Sequence, residues 1–195
     1  IGKPLITGNL VFAEKNKFFR NKKFICLYAV TNKPFAAMQL FGLEMYHEFF
    51  NNLKSLEKLS KEDNYNFLVH LHPGAKNSIL LLKKRFKYLK FTTGRIEKSL
   101  KNASVTLSYS STVIEDSLNC NVPVILLDTR SRYKHCESEH NPDIKNKSIY
   151  YINNITNLKK CIETIKESKN IKFSDNIFLN DSKANIKKLF STLIK

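Results

Sequence analysis

Ser110, Ser111 and Thr112 set three hydroxyls side by side where the segment S-Y-S-S-T leaves an apolar run and enters a helical pattern. At such a turn, free backbone N–H groups and the positive end of the helix dipole converge, and adjacent hydroxyls add donors for a phosphate oxygen. The same residues have a second use. Thr112-Val113-Ile114-Glu115 fits a T-x-x-E capping box, in which Thr112 and Glu115 satisfy the helix's own backbone. Capping is the expected role of Thr112, and Ser110 and Ser111, left over, carry the functional reading.

His72, in the run His70-Leu71-His72-Pro73-Gly74, is the second candidate. An imidazole with an ordinary pKa near ~6.5 donates to a phosphate and gains a proton as negative charge builds there, which assists a departing nucleotide. His70 and His72 lie two apart on an extended run and share a face, and the deeper His70 reads as a hydrogen-bonded core histidine. The rival is an H-x-H metal pair completed by Asp128, His135, Cys136 or His140. No second ligand spacing accompanies it, and chemistry without a metal or other cofactor is expected.

These residues need a scaffold, and the pattern around them is alternating. Apolar strand-like runs cover residues 23–30, 66–72, 88–93, 104–108, 123–128 and 149–152. Between and after them, helical patterns cover 43–60, 77–86, 96–102, 110–121, 158–169 and 183–194. Such a series predicts an α/β fold, a Rossmann-like doubly wound parallel sheet of about six strands. Ligands of open parallel sheets bind outside the carboxyl ends of the strands. The residues there are Thr31-Asn32, His72-Pro73-Gly74, Thr92-Thr93-Gly94-Arg95, Ser108-Tyr109-Ser110-Ser111-Thr112 and Asp128-Thr129-Arg130. Hydroxyls, an imidazole, two glycines and two guanidiniums with a single acid make a rim suited to phosphate, with His72 and Ser110-Ser111 expected on neighbouring strand ends. The one long connection, 129–147, reads either as a lid or partner contact or as a mobile surface loop.

Composition narrows the classes. The 195 residues, 42% hydrophobic and 26% charged, suit an ordinary globular core and exclude a disordered or fibrous chain. Lys and Arg number 33 against 17 Asp and Glu, a net charge of +16, which points to anionic partners. Only five of those cations are Arg, and the lysines are spread through every segment, so a solvated surface explains the charge equally well. Four cysteines without C-x-x-C suit a reducing compartment. No apolar run approaches the about 20 residues of a membrane span, and the start lacks a signal-peptide pattern, so a cytoplasmic protein is expected. The chain contains no G-x-G-x-x-G, no P-loop and no G-x-S-x-G, which argues against NAD enzymes, P-loop ATPases and serine hydrolases. Residues 1–21 read as a linker or the remnant of a missing N-terminal domain, and 22–195 as one Rossmann-like domain.

A strand ending in HLHPG, then SYSST followed by VIEDSLNCNVPVILLD, resembles the C-terminal, nucleotide-binding half of GT-B glycosyltransferases. The resemblance covers about 22–169 and is greatest to bacterial sialyltransferases and capsule polysaccharide transferases, which carry a His-Pro and a Ser-Ser or Ser-Thr motif. It implies that His72 and Pro73, with Gly74, lie beside the donor phosphate, and that His72 assists nucleotide departure. Ser110 and Ser111, with Thr112, would hold that phosphate. Thr93 and Gly94 would meet the base through backbone groups, and Glu115 would accept from ribose hydroxyls, in conflict with its capping role. The implied function is binding of a CMP-, CDP- or UDP-linked sugar for transfer to a glycan or lipid-linked acceptor, with inversion. CDP-glycerol-type glycerophosphotransferases are similar too, but carry an acid where this chain has Ser108. The general base of such enzymes belongs to the N-terminal domain, so this chain alone is expected to bind donor without turning it over.

Two further readings rest on charge. Lys83-Lys84-Arg85-Phe86-Lys87-Tyr88 is a basic, aromatic stretch of the kind that binds nucleic acid, although Phe86 and Tyr88 are expected to be buried. Basic surface also suits peripheral contact with anionic lipid at the inner face of the plasma membrane.

Overall fold

The protein is described by a computed structural model covering residues 23–30 and 46–173, with residues 187, 190 and 191. The expected features at 1–21, Thr31-Asn32 and most of 183–194 lie outside the described residues. Six short strands form one all-parallel sheet: β1 (Ile25–Ala29), β2 (Asn66–Leu71), β3 (Lys90–Thr93), β4 (Val105–Ser108), β5 (Val124–Leu127) and β6 (Ile149–Ile152). Their order across the sheet is β3-β2-β1-β4-β5-β6. This is the doubly wound Rossmann order, whose direction reverses between β1 and β4.

The strands are apolar because helices cover both faces. On one face Cys26, Tyr28, Val69, Leu107, Ile125 and Tyr150 meet α1 (Tyr46–Asp63), α2 (Ile79–Arg85) and α5 (Thr156–Glu167) through Phe49, Leu53, Leu56, Leu82, Leu158 and Ile162. On the other face Leu27 packs with Leu100 of α3 (Ile96–Leu100), and Val124 and Leu126 pack with Ile114 and Leu118 of α4 (Val113–Asn119). Alternate residues of one strand thus serve two separate cores, as period-2 side-chain geometry requires. Cys26, Cys120 and Cys161 are buried thiols inside this packing, and burial pushes them up, Cys26 to about 12 and Cys120 to about 11. No helix among the described residues is long and apolar enough to cross a membrane.

Three local differences from the sequence reading have physical causes. The helix expected from 77 begins earlier, as a 3-10 turn over Pro73–Ser78, because Pro73 sits at its first turn, where its fixed φ fits and its missing N–H is not needed. Tyr88 is 53% exposed rather than buried, because residues 87–89 form a turn that puts Phe86, Leu89 and Phe91 inside and leaves Tyr88 out. The connection 129–147 carries contacts to β6 that neither sequence reading of it specified. Glu139 pairs beside β6, with Tyr151 N–H donating to its carbonyl at 2.8 Å. The Tyr150 hydroxyl donates to Ile144 O at 2.7 Å.

Candidate functional site

The carboxyl ends of the strands form the rim, and the sheet order decides which of its residues meet. β4 ends with Ser108 fully buried, its hydroxyl donating across to Ala29 O of β1 at 3.3 Å. Tyr109 follows, 4% exposed, with the Arg132 guanidinium 5.3 Å over its ring and the Tyr133 ring edge-on at 6.3 Å. Burial pushes its hydroxyl up to about 12. With Ser108 and Tyr109 both anchored, the chain turns outward at Ser110. Ser110 is half-buried and makes no hydrogen bond among the described residues. α4 is held against β4 by Ser117, whose hydroxyl lies 2.9 Å from Thr106 Oγ1.

The expected capping box is not formed. Thr112 makes no side-chain cap bond, and the acceptor for the helix start is Ser111, whose Oγ takes Val113 N–H at 3.3 Å while its carbonyl takes Ile114 N–H at 3.0 Å. Thr112 itself has α-helical backbone angles, φ −59° and ψ −13°, not the extended ones usual for a capping residue. Ser111 is therefore not an idle hydroxyl. It spends a lone pair on the helix and retains its proton for donation. Glu115, released from capping, accepts from His135 Nε2 at 2.8 Å. Burial pushes its carboxyl up, but the His135 hydrogen bond and a backbone N–H outweigh this and hold it below the ordinary carboxylate range. Its other oxygen, Oε2, is buried with no hydrogen-bond partner.

His72 follows β2 and caps the 3-10 turn: its Nδ1 accepts from Gly74 N–H at 3.2 Å. An acceptor Nδ1 fixes the neutral ring's proton on Nε2, and this N–H faces outward on an exposed side chain. Pro73 and Gly74 are exposed in the same turn. His70 is a structural residue, 7% exposed, with Nδ1 2.9 Å from Ser99 Oγ and Nε2 3.2 Å from Gly94 O. Both ring nitrogens are thereby engaged, so the H-x-H pair does not present two ligands. No group of three metal-binding side chains assembles among the described residues. Gly94 has φ +107°, and a Cβ there would meet nothing within 4 Å, so its need is for backbone conformation and not for space. Thr93 donates its hydroxyl to Leu71 O at 3.1 Å.

Two expectations about the rim are corrected. His72 and Ser110-Ser111 are not on neighbouring strand ends: β1 lies between β2 and β4, so the two are separated by two strand spacings, about 10 Å. The rim is also less cationic than its local sequence suggests. Arg95 pairs with Glu97 at 3.5 Å, and Arg130 pairs with Glu48 at 3.3 Å.

Glu48 is the residue that sequence reasoning missed. It lies in the first turn of α1, 5% exposed, and also binds Arg132 at 2.6 Å. With Asn52 one turn on, it lines a small cleft together with Tyr109, Asp128, Thr129 and Arg132. Asp128 shapes the other wall, its carboxylate accepting from Arg130 N–H at 3.3 Å, Tyr133 N–H at 2.9 Å and the Tyr151 hydroxyl at 3.1 Å. The available signal was the i, i+4 pair Glu48 and Asn52 flanking the apolar stripe of α1.

No family model and no curated protein matches the chain. Solved structures do. UDP-GlcNAc 2-epimerase from Methanocaldococcus jannaschii, in complex with UDP-GlcNAc and UDP, superposes with a TM-score of 0.57 at 16% identity, over 93% of this chain and 47% of that one. A second structure of the same epimerase gives 0.58 at 16%, over 88% and 46%. TarM gives 0.49 at 14% identity, over 91% and 37%. The chain thus shares the Rossmann-like α/β fold of part of the epimerase, and it spans about half the length of the epimerase it matches.

Proposed function

We propose that this chain is the donor-binding half of an inverting GT-B glycosyltransferase, taking a nucleotide diphosphate sugar at the crevice where the sheet order reverses. The observation that carries the reading is the reversal itself: β1 ends between His72 on one flank and Ser110-Ser111 on the other. Support of a coarser kind comes from the epimerase, whose structure holds UDP-GlcNAc and UDP. A gap of two strand spacings favours an extended diphosphate over a single phosphoryl group, so UDP or CDP donors fit better than CMP.

In this reading Ser110 and Ser111 donate their hydroxyl protons to one phosphate. His72 donates Nε2–H to the phosphoryl group on the other side of β1 and keeps that bond as the departing nucleotide gains charge. Pro73 and Gly74 hold the imidazole, and Gly74 N–H fixes the tautomer that makes donation possible. Gly94 turns the chain after β3 towards the base, with Thr93 holding that turn to β2. Glu115 has one oxygen held by His135 and the other buried, so its carboxylate braces the start of α4 and is not assigned to ribose hydroxyls. The acceptor, a glycan or lipid-linked saccharide, and the general base that deprotonates it belong to a facing domain, and no metal enters these steps.

Calorimetric titration with UDP, CDP and CMP tests the assignment. The diphosphates should bind and CMP more weakly, and His72→Ala or Ser110→Ala/Ser111→Ala should each weaken UDP about tenfold or more, the usual loss for a hydrogen bond to a charged group. Absence of binding by all three nucleotides, or affinity unchanged in both variants, would overturn it.

A further inference from the structure

From Asn64 to Ile96 the chain carries no acidic residue, while Lys76, Lys83, Lys84, Arg85, Lys87, Lys90 and Arg95 are all present. The sheet order places this stretch at one margin of the molecule, because β3 is the edge strand. The 3-10 turn and α2 run along that margin. At about 100° per residue, Leu82 and Phe86 point to the core, and the opposite side of α2 is centred on Lys84 and flanked by Leu80 and Leu81.

Those two leucines are 73% and 70% exposed. Single exposed leucines are ordinary on a soluble protein. Adjacent ones on the side of a helix that its own amphipathic pattern should make polar are not. Lys76, Lys83, Lys84 and Lys87 are exposed around them and have no carboxylate partner among the described residues. Arg85 lies over the rings of Phe50 and Phe86, and the exposed Tyr88 ring has Lys61 over it at 6.0 Å. Glu57 of α1 is half-buried and accepts the Tyr88 N–H at 3.4 Å.

We propose that this margin, Leu80 and Leu81 within the lysine ring of α2, is a docking face for an anionic phospholipid bilayer. Apolar side chains enter the acyl boundary while lysines stay at the head groups, and each contributes independently. Nucleic acid shares the charge complementarity, but two exposed leucines have no use on a phosphate backbone, and this decides for lipid. The inference stands apart from the donor reading and does not need a nucleotide to be bound.

Co-sedimentation with phosphatidylcholine vesicles, with and without about one third phosphatidylglycerol, tests it. The protein should bind only the anionic vesicles, and less as salt rises. With each lysine contributing about fivefold, Lys83→Glu/Lys84→Glu should lower partitioning at least about tenfold, and Leu80→Ser/Leu81→Ser several-fold at unchanged net charge. Lys169→Glu/Lys172→Glu, the same charge change on residues after α5, should have little effect. The proposal is overturned by equal loss in that control, by equal binding to neutral vesicles or by no binding at all. Binding of a random 20-mer that Lys83→Glu/Lys84→Glu abolishes and Leu80→Ser/Leu81→Ser leaves intact, without vesicle binding, would assign the face to nucleic acid. A melting temperature lowered by more than about 5 °C in Leu80→Ser/Leu81→Ser, or conversion of a dimer to a monomer, would show that protein covers the leucines.

Discussion

The two flanks of the rim are built on opposite terms. Around β4 and β5, the buried carboxylates are already engaged: Glu48 with Arg130 and Arg132, Asp128 with three donors, Glu115 through one oxygen with His135. Around β2 and β3, the buried His70 is satisfied, but His72 presents Nε2–H outward and the surrounding lysines face solvent. Paired buried charges fix the position of a loop, whereas outward donors are available to a ligand. The first flank is thus a wall of paired charges and the second a margin whose donors face solvent, with Ser110 and Ser111 at the seam.

Breaking the wall should cost the most. Glu48→Gln leaves the Arg132 guanidinium, only 26% exposed, without its carboxylate, and removing one partner of a buried pair costs about 3 kcal/mol. Urea unfolding should show that loss together with faster proteolysis within 129–147. If stability is unchanged, the wall is not what holds the connection.

On the other flank, His70→Ala orphans Ser99 Oγ and Gly94 O and should cost about 2 kcal/mol. Burial holds the His70 imidazole below its ordinary value of 6.5, partly offset by the hydrogen bond to Gly94. The neutral form is thus the folded form. Its contribution is fully present above pH 6.5 and is lost as pH falls through the lowered folded value. The stability of the wild type should therefore drop on the acid side of pH 6.5 with a component that His70→Ala lacks; parallel profiles would refute the assignment.

The seam gives the smallest effect and the sharpest contrast. Ser111→Ala should cost about 1 kcal/mol of stability through the lost cap, and Thr112→Ala less than about 0.5 kcal/mol. Thermal denaturation of the two variants checks the order, and a reversed order would restore the capping box that the T-x-x-E pattern suggested.

That reversal of roles shows where local pattern stops being informative. Thr112 and Glu115 have the right spacing for a box, but His135, twenty positions on, competes for the carboxylate. Strand positions were legible because both faces are buried, leaving runs such as Val124–Leu127 with no polar residue. Tyr88 was misplaced because the period that buries Phe86 restarts after a turn. The candidate residues at strand ends were legible as a set, since a parallel sheet sends every strand end to one rim. Their grouping was not.

Sequence alone therefore determined the six strands, the helices between them and the polar identity of each strand end, because burial leaves its period along the chain. Tertiary structure decided that β1 stands between His72 and the serines, that Glu48 pairs with Arg130 and Arg132, and that Leu80 and Leu81 face water. Strand order and charge pairing join residues that are distant in the chain, and no local periodicity records which distant partner a side chain will meet.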